Sequence, residues 1–207
     1  MTSFPPEVSV HSFWAWFETV APILAQNFEN PQIHEELDRQ VSRLGGMTWE
    51  LGPGHAAQNA LTLTPDGDPD LLRATKHIVA LAPSIPNWEF HPAKPPKEWA
   101  LTFSLETEGE TVVDVDANRW RYVLLRFPDS TFDILLRQDG TELHDDDDRY
   151  VAAIIVLDGL LGEEARMSLV GSIELVDAFS AEELARVTPI SELPHHLMSL
   201  LNRKAPP

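Results

Sequence analysis

Residues 145 to 162, DDDDRYVAAIIVLDGLLG, restrict the fold more than any other stretch of the chain. Consecutive aspartates lead into an almost wholly apolar run from Tyr150 to Leu161, and Gly162 follows it. Asp145, Asp146, Asp147 and Asp148 offer an N-cap and negative charge where a helix exposes unpaired N–H groups, and Gly162 suits the left-handed turn that closes one. The stretch therefore predicts a helix of about four turns. Tyr150, Ala153, Ile154, Leu157 and Leu161 fall at helical spacing, while Val151, Ile155, Val156 and Leu160 cover the other side. A helix apolar nearly all round is expected to be buried. Periodicity leaves one alternative open, a short buried strand over residues 151–157.

Upstream, Pro5 and Pro6 predict a loose arm over residues 1 to 9. The first helix is expected from Phe13, capped by Ser9 or Ser12, with Phe13, Trp16 or Phe17, Val20 and Leu24 as its inner stripe and a break near Ala21 caused by Pro22. Trp14 lies off that stripe and is expected to pack inside, because large aromatics are mostly buried. Asn30-Pro31 opens a second helix and Gly45-Gly46 stop it. Residues 47–51 alternate like a half-buried strand, which the Gly52-Pro53-Gly54-His55 turn should break, with 58–64 as antiparallel partner. Asp68-Pro69 opens a third helix, and 88–91 reads as a strand.

PAKPP at 92–96 is an extended connector and the expected boundary between halves 1–96 and 97–207, which together form one integrated unit. Beyond it the reading predicts a hairpin of 101–106 with 111–115 across Glu108-Gly109, strands at 120–127 and 131–137, the central helix, and a strand at 170–176. A capping box at Ser180 to Glu183 and a last helix through Leu197 and Leu201 follow. Both halves show strand, strand, helix, strand. The expected class is α+β, with mixed or mainly antiparallel sheets covered by helices, a helix pair at the N-terminal side and helices at the C-terminal side.

Charge narrows the partners. The formal net charge is −18, a field that repels phosphate backbones and anionic membranes, so neither nucleic acid nor membrane is expected as a partner. The acidity concentrates between Gln138 and Arg166, where only Arg149 and Arg166 are basic. It can serve as a solubilising face or as a surface for a basic protein. The absence of cysteine removes thiolate chemistry and disulfides, and the N-terminal stretch lacks the pattern of a signal peptide, so a cytoplasmic location is expected.

FWAWF in the first helix, APSIPNWEF at 82–90, LDGLLGE at 157–163 and GSIELV at 171–176 together resemble a family of bacterial proteins of unknown function. The resemblance implies a unit that recurs at full length, and it implies no activity.

Of the candidate chemistry, Asp158 comes first, because a carboxylate in a buried helix must be neutral or partnered. Converging with Glu163 and Glu174, it could hold a divalent cation or work as an acid/base pair, the basis of a hydrolase reading. Alternatively it lies at a solvent edge, or pairs with an arginine such as Arg121 or Arg126 or with an indole N–H. The aspartate run lacks the alternating ligands and central glycine of an EF-hand. The histidines are scattered without metal-site spacing, leaving no expected metal or cofactor. Trp99, after the basic stretch KPPKE, is the aromatic best placed to reach the surface and anchor a partner. The leading expectation is a non-catalytic protein-binding protein, adaptor-like, immunity-like or secretion-chaperone-like, with Asp145 to Asp148 and Trp99 as its contact residues.

Overall fold

The computed structural model describes residues 4–107, 109 and 111–202. The first three residues of the expected N-terminal arm, and Glu108 of the expected hairpin turn, lie outside that set. The fold is α+β, with mixed and antiparallel sheets. Its contacts divide into two compact units, Met1–Lys94 and Pro95–Pro207.

In the first unit, α1 (Glu7–Leu24) begins six residues before the expected start, directly after Pro6. Neither serine caps it; Ser12 Oγ instead donates to the carbonyl of Val8 at 2.8 Å. The helix also continues through Pro22, because a proline in the last turn forfeits a single N–H bond while Ala21 and Leu24 are held in the core. Trp14 is buried and donates its indole N–H to the carbonyl of Ile78 at 2.9 Å. Its ring meets Phe13, Phe17 and Phe90 edge-on.

Asn30 caps α2 (Pro31–Ser42) through Ile33 N–H at 3.2 Å. Strand β1 (Thr48–Pro53) runs on through Gly52 and Pro53 rather than breaking there, and pairs antiparallel with β2 (Asn59–Thr64). Asp68 caps α3 (Pro69–Ala80), which carries the chain across to β3 (Trp88–His91), parallel to β2 and beside it. The core joins the aromatic face of α1 to Leu37, Val41, Leu61, Leu63 and Ile78.

In the second unit, β4 (Thr102–Glu106) and β5 (Val112–Asp116) form the expected hairpin as a two-stranded sheet. Strands β6 (Arg121–Arg126) and β7 (Phe132–Arg137) pair antiparallel. Then come α4 (Asp146–Leu161), α5 (Glu163–Leu169) and β8 (Val170–Leu175), which lies parallel to β7. The capping box is present, with Ser180 N–H donating to Glu183 Oε2 at 2.7 Å and Glu183 N–H to Ser180 Oγ at 3.3 Å, but it opens only a 3-10 turn at Leu184–Arg186. A two-residue strand, β9 (Thr188–Pro189), completes the sheet order β8-β7-β6-β9, and α6 (Leu193–Asn202) follows. Tyr122, Leu124, Ile134 and Leu136 face α4 and α6, with Trp120 fully buried in the same core.

The two units thus repeat one path. An antiparallel hairpin is followed by a helical crossover and a third strand parallel to the second, as parallel pairing demands.

Candidate functional site

The central stretch is a helix, not a strand, and Asp145 caps it. Its Oδ1 accepts the N–H of Asp147 at 2.9 Å and of Asp148 at 3.4 Å. Beyond the cap, burial is one-sided. Ala152, Ala153, Val156, Leu157 and Gly159 are buried, whereas Tyr150 is 44% exposed and Val151 is 46% exposed. The expectation of a helix apolar nearly all round and therefore buried is corrected at this first turn. Residues three and four apart on a helix share a face, so Tyr150 stands beside Asp146 and Asp147, and Val151 beside Asp147 and Asp148.

Arg149, the one cation in this turn, is already engaged. Its Nε donates to Gln138 Oε1 at 3.2 Å, Gln138 Nε2 donates back to the Arg149 carbonyl at 2.8 Å, and its two terminal nitrogens lie 3.4 Å from Asp146 and 3.6 Å from Asp177. What remains open at the head of α4 is an aromatic and a branched aliphatic side chain with exposed carboxylates around them.

Asp158 takes the paired option. Arg166, from the next helix, places Nε against Asp158 Oδ1 and Nη2 at 3.4 Å from Oδ2, a two-pronged contact between side chains that are 13% and 7% exposed. The arginine is neither Arg121 nor Arg126. Gly162 makes it possible. At φ +81° it ends α4, donating to the Asp158 carbonyl at 2.8 Å, and its own carbonyl accepts the N–H of Arg166 at 3.0 Å. A residue with a Cβ is disfavoured there. Helix α5, absent from the sequence reading, therefore folds back and delivers Arg166 to the carboxylate. The signal was available in EEARMSL, a run of mostly good helix formers directly after the glycine.

Glu163 is buried at the start of α5, and Glu174 is exposed on β8. Among the described residues no three His, Asp or Glu side chains gather closely enough to hold a metal ion. Asp158, Glu163 and Glu174 are not brought together as a metal-binding triad.

Trp99 is partly buried. Its ring lies on α4 at Gly159, where an added Cβ would sit 2.7 Å from Cζ2, and Lys97 Nζ is 4.8 Å from its ring centre. The Lys97 N–H also donates to the Gly159 carbonyl at 2.9 Å. The glycine is small so that the indole can approach the helix backbone. Trp99 thus packs on the scaffold, while Tyr150 is the more exposed aromatic.

In the first unit, the loop from Gly54 to Gln58 that joins β1 to β2 lies against Glu89 on β3. That carboxylate accepts the backbone N–H of His55, Ala56 and Ala57, each at 2.7 Å, and contacts His91 Nε2 at 2.9 Å. Partial burial pushes the carboxyl up, but the His55 N–H, the His91 ring and the Ala57 and Ala56 N–H groups outweigh it and bring the pKa down to about 2. The loop is pinned by its own protein.

Compared with known proteins, the chain matches no family model, no curated protein and no solved structure. The resemblance read from the sequence therefore carries no further argument.

Proposed function

We propose that the protein is a non-catalytic cytoplasmic binding protein, adaptor-like, immunity-like or secretion-chaperone-like, which engages a basic protein through the head of α4. One observation carries the reading: Tyr150 and Val151 are exposed next to the carboxylates of Asp146, Asp147 and Asp148. Aromatic side chains anchor protein interfaces, and a surrounding acidic field speeds the encounter with a basic surface and restricts the choice of partner. No helix among the described residues is long and apolar enough to cross a membrane. The hydrolase alternative, built on Asp158, Glu163 and Glu174, has no comparable support, because Arg166 engages Asp158 and Glu174 faces outward.

The test spares the cap. Asp146, Asp147 and Asp148 are changed together to asparagine, Tyr150 is changed to alanine separately, and Asp145 is left in place. Capture of a basic partner at low salt should fall by about tenfold or more in each variant, since an interface anchor is worth roughly 2 kcal/mol. Capture insensitive to both variants and to salt would overturn the reading.

A further inference from the structure

The ladder between β6 and β9 stops after two pairs, Arg121 with Pro189 and Tyr122 with Thr188. Before β9, residues 184–186 form a 3-10 turn and are not paired with β6. A cavity of about 610 Å³ opens there, within the range that holds small ligands. Leu124, Val187 and Leu200 supply its apolar walls, and Arg126, Arg186 and His196 its basic ones.

Among the described residues no carboxylate lines this cavity, on a chain whose formal net charge is −18. Arg126 is exposed on β6 and forms no ion pair among the described residues. Arg186 is also exposed, and it interacts electrostatically with Glu183, whose Oε2 accepts the Ser180 N–H. His196 turns Nδ1 toward the Tyr122 hydroxyl at 2.9 Å, which fixes the imidazole at the cavity wall. A guanidinium group matches the planar fork of a carboxylate, and the aliphatic walls suit a short hydrocarbon body.

We propose that this cleft binds an aliphatic carboxylate, either a free acid or the carboxyl end of a peptide with an apolar last residue. The site is separate from the acidic head of α4, and the proposal stands independently of the function proposed above.

Calorimetric titration of the full chain with hexanoate and with acetyl-alanyl-leucine tests it. Saturable binding of either acid is expected, weakened by about tenfold or more in Arg126→Gln and in Arg186→Gln, because each variant removes a charged hydrogen-bond donor to the carboxylate. Hexanoate binding identifies a free acid as sufficient, and binding of the dipeptide alone identifies a chain end. Both arginines are exposed, so unchanged melting curves are expected to show that the variants fold. Failure of both acids to bind would overturn the proposal. So would equal binding of hexanamide, equal binding of inorganic phosphate, or affinity unchanged in both variants.

Discussion

At the scale of single residues, the contact between Asp158 and Arg166 makes the sharpest demand. Both side chains are largely buried, and truncating one partner of such a pair leaves the other charge poorly compensated. Arg166→Met is expected to lower stability by about 3–5 kcal/mol and Asp158→Asn by less, with strong coupling in a double-mutant cycle followed by urea unfolding. Gly159→Ala presents a different conflict. Alanine is the better helix former, yet its Cβ would overlap the Trp99 ring. We expect a net loss of about 1–2 kcal/mol and an altered tryptophan emission spectrum. Glu89 sets a pH dependence. Its folded pKa of about 2 lies below the ordinary 4.5, so its contribution to stability is complete above pH 4.5 and disappears as the pH falls through the folded value. Glu89→Gln should flatten the stability profile within that acid window, measured by urea titration at successive pH values.

At the scale of elements, Asp145→Ala should cost about 1 kcal/mol in urea unfolding, as expected for an N-cap that serves two backbone donors. This change and the triple change at Asp146 to Asp148 have separable effects, one on the helix and the other on its surroundings. Elements with local punctuation were legible in the sequence. Asn30-Pro31, Asp68-Pro69 and the aspartates before Arg149 each mark a helix start by groups that act within one turn. The β6/β7 hairpin was equally plain from its branched and aromatic side chains. Less legible was anything decided by distant packing. Pro6 starts α1 without a side-chain cap, so the serines misled, and Pro22 is tolerated because the last turn is anchored in the core. Strand β9 is two residues long and exists only because β6 offers it an edge. In the candidate site, the acids were visible but their status was not. An apolar run reads as buried over its whole length, and periodicity does not say which of its turns lacks a covering neighbour, here the first, with Tyr150 and Val151.

At the scale of the molecule, each unit has its own apolar core, one built on residues 10–90 and the other on residues 99–201. A chain shortened to residues 95–207 is expected to keep the slow amide exchange of β6 and β7, as read by hydrogen exchange with mass spectrometry. The shared path of the units has a consequence in time. Each hairpin can close while only its own two strands have left the ribosome, but β3 and β8 must wait for an intervening helical segment before they find their neighbours. Until then β2 and β7 each present a bare edge of unsatisfied amides, most prone to mispairing during synthesis.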